Sequence, residues 1–318
     1  MKKIFVTGKI PETGINLLKE YFDVEVFSQD RAITKEEIIK FGKDAFGIIS
    51  LLRDKIDSEV IDNLKECKII ANYAVGYNNI DVKYALSKGI YVTNTPDILT
   101  ETTAELAWGL LFAIARRIVE GDKFVREGKF KGWESELLLG TDIYGKTLGI
   151  VGSGRIATAF AEKAKVFNMD ILYYSRHRNK EFEKNTGGHY SDLETLISKA
   201  DFISLHVPLN DESYHMFTLK EFKKMKNTAF LINTARGAVI KEDDLVFALK
   251  KGLIAGAGLD VYEFEPEVME DLKYMDNVVL TPHIGSASTE TRDAMSMLVA
   301  KNVINVSSGK KPLTPVKN

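Results

Sequence analysis

GKTLGIVGSGRIATAFAEKAKVFNMDILYYSRHR, residues 145–178, changes pattern three times along its length. Residues 147–151 are a short apolar run of strand character, and Gly152-Ser153-Gly154 breaks it. Residues 155–167 then place Ile156, Phe160, Ala164 and Phe167 at helical spacing, and residues 170–174 return to strand composition. The turn fits G-x-G-x-x-[GA] through Gly152, Gly154 and Ala157. Each small position has a physical reason. The first permits the tight turn, the second lets backbone approach a pyrophosphate, and the third lets the helix lie close on the strand. The helix start adds unpaired N–H groups and a positive dipole end. Set between strand and helix, the turn therefore reads as a dinucleotide site, with Ser153, Arg155 and Ile156 around the phosphates.

The end of the second strand selects between dinucleotides. An NAD site places Asp or Glu about 20 residues past the turn, to bind the ribose 2′-hydroxyl. Here the chain reads Tyr174-Ser175-Arg176-His177-Arg178, with no acid before Glu181. A carboxylate would repel a 2′-phosphate, whereas arginine offers it a planar fork of charged donors. Ser175, Arg176, His177 and Arg178 are thus expected to hold NADP(H), with NAD(H) the alternative.

At 318 residues the chain exceeds one small core, and two domains are expected. Hydrophobic residues make up 45% and charged residues 28%, as in ordinary soluble proteins. A net charge of −2 gives no reason to expect nucleic acid or an anionic membrane as partner. The single cysteine, Cys67, rules out an intramolecular disulfide and sits beside the apolar Ile69-Ile70-Ala71, as a packed core residue would. The opening MKKIFVTGK is too short in apolar residues for a signal segment, and no run approaches membrane-spanning length. A cytoplasmic protein is expected.

Strand and helix signals alternate through the first hundred residues. Strands are expected near 4–6, 24–27, 46–50, 68–73 and 90–93, and helices near 14–21, 34–41, 58–64 and 82–88. Thr34 and Glu37 form a capping box. Such alternation argues for a parallel sheet with helices on both faces. The longest helix signal runs from 100 to 128, apolar nearly all round (Leu106, Trp108, Leu110, Leu111, Phe112, Ile114), with a capping box expected at Thr102 and Glu105. Its pattern suits an interdomain core helix and a subunit interface equally. Beyond 178 the alternation resumes, with strands near 202–207, 230–233, 254–259 and 278–281, and the chain closes on a helix over 289–306.

Ligands bind beyond the carboxyl ends of strands in an open parallel sheet. Arg236 follows one such end, Asp260 another and His283 a third, with Glu265 in the loop after Asp260. A histidine, an arginine and carboxylates on loops beside a redox cofactor suit hydride transfer at an oxidised carbon next to a carboxylate. His206 lies in apolar surroundings as a core residue would, and His189 and His215 have no evident partner in sequence. With one cysteine and no histidine pair at ligand spacing, no metal site is expected. No G-x-S-x-G turn occurs, so serine hydrolase chemistry lacks support.

The segments NYAVGYNNID (72–81), VTNTPDILTETTAELAWGLL (92–111), NTARGAVI (233–240), AGAGLDVYEFEP (255–266) and LTPHIGSAS (280–288), with the turn above, resemble the D-isomer-specific 2-hydroxyacid dehydrogenases over nearly the whole chain. VTNTPDILTETTAELAWGLL, LLLGTDIYGKTLG and YYSR look most like the glyoxylate/hydroxypyruvate reductases. The resemblance implies an α/β fold in which a Rossmann-type, doubly wound cofactor domain (101–284) is inserted into a smaller flavodoxin-like substrate domain (1–100), rejoined by a C-terminal helix (285–318). It implies a homodimer that reduces small 2-keto acids to 2-hydroxy acids. In it His283 is the acid/base, Glu265 its carboxylate partner, and Arg236 grips the substrate carboxylate and polarises the carbonyl. Backbone N–H groups of Val75 and Gly76 would bind the same carboxylate. Asp260 would meet the nicotinamide carboxamide, while Thr103, Val207, Pro208, Thr234 and Gly285 would line the cofactor cleft. Arg53 stands where relatives carry a small polar residue at the substrate mouth, and Trp133 aligns with a tryptophan that reaches the partner subunit's site in the mammalian-type reductases. Two rivals remain. One is an NAD-dependent dehydrogenase of another D-2-hydroxy acid, lactate or 3-phosphoglycerate. The other is a non-catalytic dinucleotide-sensing scaffold on the same fold.

Overall fold

The computed structural model describes residues 1–317, and the chain divides into two compact units. Residues 1–99 and the chain from 286 onward form the first. Its strands are β1 (Lys3–Val6), β2 (Asp23–Val26), β3 (Gly47–Ser50), β4 (Ile69–Asn72) and β5 (Tyr91–Thr93), all parallel, in the order β2-β1-β3-β4-β5. That is the flavodoxin-like order. β3 and β4 are buried at every residue, which is why they read as unbroken apolar runs rather than as alternation. Helices α1 (Glu12–Lys19), α2 (Lys35–Gly42), α3 (Ser58–Asn63) and α4 (Val82–Ser87) connect them. The Thr34–Glu37 capping box is formed, and Asp57 and Asp81 cap α3 and α4 through their side chains. The C-terminal helix, Thr289–Ser307, rejoins this unit and packs on α1 and β4. Gly14 makes the approach feasible, because a Cβ there would overlap the Ser296 carbonyl. Its N–H donates to Ser296 Oγ (3.1 Å), and that hydroxyl donates to the Pro11 carbonyl (2.7 Å).

Residues 100–285 form the second unit. It opens with α5 (Thr100–Ala115) and α6 (Ile118–Arg126), and then alternates β6 (Thr147–Val151), α7 (Arg155–Ala164), β7 (Asp170–Tyr174), α8 (Lys180–Thr186), β8 (His189–Tyr190), α9 (Leu193–Lys199), β9 (Phe202–Leu205), α10 (Leu219–Phe222), β10 (Phe230–Asn233), α11 (Glu242–Lys250), β11 (Gly256–Leu259), α12 (Glu270–Lys273) and β12 (Val278–Leu280). The sheet is parallel throughout, in the order β12-β11-β10-β9-β6-β7-β8. From β8 this is the doubly wound 3-2-1-4-5-6 order with one strand added. The order reverses between β6 and β9, so the glycine turn after β6 sits at the switch point, where such sheets bind ligands.

The helix expected over 100–128 is two helices. Arg117 takes a left-handed conformation (φ 51°) and ends the first. Its guanidinium grips Glu120 through Nε and Nη2 at 2.7 Å each, a contact that offsets the cost of that backbone. No Gly or Pro marks the break, so periodicity ran straight across it. Thr102 and Glu105, expected to cap the helix start, both lie inside α5, which already begins at Thr100. Burial of α5 on several sides is observed. Trp108 is buried, donates from Nε1 to the Phe160 carbonyl (3.0 Å) and stacks on the Phe160 ring at 4.9 Å.

Candidate active site

The glycine turn has the shape a pyrophosphate needs. Gly152 has φ 112°, open to glycine and strained for other residues, and a Cβ there would come within 2.5 Å of the His206 carbonyl. Gly154 caps α7 without a side-chain hydrogen bond, and open space lies where its Cβ would stand. A polar group can therefore approach its backbone and the N–H groups at the helix start. Ala157 is fully buried beneath, as the third small position requires. Ser153 is half-buried and Arg155 exposed beside it, with Ile156 half-buried at the helix start. Asn179 was not foreseen. Its amide donates to the Ser153 carbonyl (3.0 Å) while its Oδ1 caps α8, tying the turn to the loop after β7. An Asn just before Lys-Glu-Phe-Glu was a legible helix start, but not a clue to that tie.

That loop holds a surprise in its charges. Arg178 is engaged locally, with two bonds to Glu183 (Nε 2.8 Å, Nη2 3.0 Å). Arg176 reaches Glu212, on the loop after β9, at 3.2 Å. Ser175 Oγ donates to the His177 carbonyl (2.7 Å), and the His177 side chain is in an exposed part of the loop. Glu212 lies 36 residues beyond Arg176 in sequence, and only the fold brings the two together.

The other candidates gather at three neighbouring strand ends. Arg236 follows β10, Asp260 and Glu265 follow β11, and His283 follows β12. His283 Nδ1 lies 2.9 Å from Glu265 Oε2, which leaves Nε2 as the ring nitrogen not facing this carboxylate. His283 is left-handed (φ 54°), and its loop is held from below. Its N–H donates to the Asp260 carbonyl (3.0 Å). The buried Asp260 carboxylate accepts from Ile284 N–H, Gly285 N–H (2.8 Å each) and Thr281 Oγ1 (2.6 Å). Such over-determination is what keeps an unfavourable backbone in place. Burial pushes the Asp260 carboxyl up, against those hydrogen bonds. Burial would also raise Glu265, but the His283 hydrogen bond and charge, the Tyr262 N–H and the Arg236 charge together hold it below its ordinary value. Burial lowers the Arg236 guanidinium from its usual range, opposed by the Glu265 charge.

Other residues that position this loop were missed from sequence. Gly237 lets the turn after Arg236 touch the Tyr262–Glu263 backbone, which any Cβ would overlap. Glu242 and Glu263 each accept the other's backbone N–H (2.8 and 3.0 Å), and His215, which has no evident partner in sequence, holds Glu263 at 2.6 Å. Tyr262 N–H donates to Glu265 Oε1 (3.0 Å). Glu242 and His215 lie 21 and 48 residues from Glu263 in sequence and meet it only in the fold. His206 bonds to Ser204 Oγ (2.9 Å) with its ring 5.1 Å from that of Phe160, and burial depresses it to about 3, so it stays neutral.

Of the remaining expected contacts, Thr234 Oγ1, at the end of β10, is buried and has no hydrogen-bond partner among the described residues. A buried donor left open at a strand end fits a ligand group. Gly285 lies 3.4 Å, measured from its Cβ position, from the buried Thr103 in the first turn of α5. Val207 and Pro208 follow β9, and Val207 packs near Gly152. In the first unit, the carbonyls of Val75 and Gly76 accept from Asn94 and Asn72 (2.8 and 2.7 Å). Among the described residues neither of their N–H groups meets a protein acceptor. Arg53 is exposed and donates to the Arg31 carbonyl (3.3 Å); Trp133 is 86% exposed. Cys67 is buried, its thiol pushed up to about 12 by burial. Among the described residues no cluster of metal-ligating side chains occurs, and no helix is long and apolar enough to cross a membrane.

Residues 108–285 match the family model described as D-isomer specific 2-hydroxyacid dehydrogenase, NAD binding domain, and the chain belongs to that family. It is 51% identical over 318 residues to a glyoxylate reductase of Pyrococcus horikoshii, covering 99% of this chain and 95% of that one. Among solved structures it is similar to an NADPH-dependent glyoxylate/hydroxypyruvate reductase of Sinorhizobium meliloti in complex with NADP and malonate (TM-score 0.89, 34% identity, 99% of this chain and 96% of that one). It is also similar to the D-lactate dehydrogenase of Escherichia coli (TM-score 0.83, 30% identity, 100% of both chains).

Proposed function

We propose that the protein is an NADP(H)-dependent reductase of small 2-keto acids, with glyoxylate and hydroxypyruvate as substrates and glycolate and D-glycerate as products. The observation that carries this is the His283–Glu265 pair at 2.9 Å, on strand ends adjoining that of Arg236. When bound, the reduced nicotinamide supplies the hydride. Arg236 binds the substrate carboxylate and polarises the keto group. With Nδ1 held by Glu265, His283 gives its proton from Nε2 to the keto oxygen as the alcohol forms. Val75 and Gly76, whose N–H groups meet no protein acceptor among the described residues, bind the carboxylate as well. Thr103, Thr234, Asp260 and Gly285 surround the nicotinamide end, Val207 and Pro208 the middle, and Gly152 to Ile156 the pyrophosphate. Ser175, Arg176, His177 and Arg178 take the 2′-phosphate end. Residues 1–99 with the C-terminal helix serve as substrate domain, and residues 100–285 as cofactor domain. The protein acts as a cytoplasmic homodimer, supported by the run of exposed apolar side chains Ile118, Val119, Val125, Phe130, Trp133 and Leu139.

Turnover of glyoxylate, hydroxypyruvate and pyruvate, each with NADPH and NADH, tests the reading. Higher kcat/KM with NADPH and the first two acids is expected; higher efficiency with NADH removes the cofactor assignment. One observation favours the NAD(H)-linked reading, for lactate or 3-phosphoglycerate: Arg176 and Arg178 both already face carboxylates.

A further inference from the structure

We infer that Glu212 sets how strongly the protein discriminates between NADPH and NADH, by competing with the cofactor's 2′-phosphate for Arg176. The inference rests on the proposed role of Arg176 at that phosphate. β7 and β9 flank β6 in the sheet, so the Arg176–Glu212 bond joins the two loops on either side of the strand that carries the glycine turn. Glu212 is held there by its backbone. Asn210 Oδ1 accepts from the N–H groups of Glu212 and Ser213 (3.0 Å each). Ser213 Oγ accepts from Asn210 N–H (2.9 Å) and donates to the Pro208 carbonyl (2.6 Å), and Ser213 is buried. The acid is thus presented by a rigid turn that directly follows the expected cofactor residues Val207 and Pro208.

The pair itself is soft. The two side chains are 67% and 65% exposed, and an exposed ion pair of this kind is readily exchanged. A phosphate dianion offers Arg176 more charge and more acceptor oxygens than one carboxylate does, so it takes the arginine over. Glu212, fixed by its turn, then remains as a like charge well within a Debye length of the phosphate. NADH brings no phosphate and leaves the pair intact. The carboxylate therefore weakens NADPH binding selectively and holds the two affinities closer together than Arg176 alone would.

Fluorescence titration of the full-length protein with NADPH and NADH, for wild type, Glu212→Gln, Arg176→Ala and the double variant, tests this. The ratio Kd(NADH)/Kd(NADPH) should rise roughly three- to tenfold in Glu212→Gln, and less in 0.5 M salt, where such charges are screened. It should fall in Arg176→Ala, and adding Glu212→Gln to that variant should recover part of the loss by removing repulsion. A ratio that falls in Arg176→Ala but does not rise in Glu212→Gln overturns the inference and leaves the Arg176 reading standing. A ratio indifferent to Arg176→Ala overturns both.

Discussion

His283 is the proposed acid/base, and its replacement gives the first expected outcome. His283→Ala should lower kcat by two to four orders of magnitude, the usual contribution of a positioned acid/base, in a steady-state assay of keto-acid reduction. Glu265 offers a pH test. Its folded-state carboxyl lies below the ordinary value of 4.5, so it stays charged, and its pairing with His283 is present, above that range. The pairing is lost only as pH falls through the depressed value. Wild-type activity should hold down to about pH 4.5 as far as this group is concerned, whereas Glu265→Gln should lose activity at all pH values and lack that acid limb. His206 acts in the same direction of pH, through a group kept neutral rather than charged. An unfolded histidine titrates near 6.5 and this one near 3, so the unfolded state binds the extra proton between those values. Stability should be flat above pH 6.5 and fall below it, by up to about 1.4 kcal/mol per pH unit for one proton. Urea unfolding at several pH values should show a shallower slope for His206→Asn. All three residues were visible in the sequence; what each one faces was not, because Glu265 meets His283, and His206 meets the ring of Phe160, only through the fold.

The elements behave as their local signals direct, except where backbone geometry overrides periodicity. The glycine turn is the clearest case of agreement. Gly152→Ala would place a methyl 2.5 Å from the His206 carbonyl on a backbone at φ 112°, so a loss of about 1–3 kcal/mol is expected from the backbone alone. Thermal unfolding should report the lower stability, and titration should show weakened binding of both NADPH and NADH. Unchanged affinity for both would mean that this turn does not meet the pyrophosphate. The break at Arg117 is the case of disagreement. Its apolar neighbours continue the helical period on both sides, and the reversal depends on one residue held by Glu120, a contact that no pattern of hydrophobicity encodes.

At the scale of the whole molecule, two parallel α/β units share one chain, and the first is completed only by the last helix. Gly14 and Ser296, 282 residues apart in sequence, are bonded within it. The exposed apolar run from Ile118 to Leu139 belongs to the second unit, and a homodimer formed through it should respond to charge. Phe130→Glu combined with Trp133→Glu should shift the protein toward monomer in light scattering after gel filtration; an unaltered mass places the interface elsewhere or removes it.

The sequence by itself determined the class of fold, through alternating strand and helix patterns, and the dinucleotide turn, through small residues at three positions whose backbone must come close to something. It also determined which residue types were available for chemistry at strand ends. These are local properties: period, propensity and turn stereochemistry act over a few residues. Only the tertiary structure decided the partners. Strand order placed β10, β11 and β12 side by side and so brought Arg236, Glu265 and His283 onto neighbouring strand ends. The same sheet set Glu212 against Arg176, across the strand whose glycines were legible from the start. Charges interact through space, and their distances in space are fixed by the order of strands, not by the order of residues.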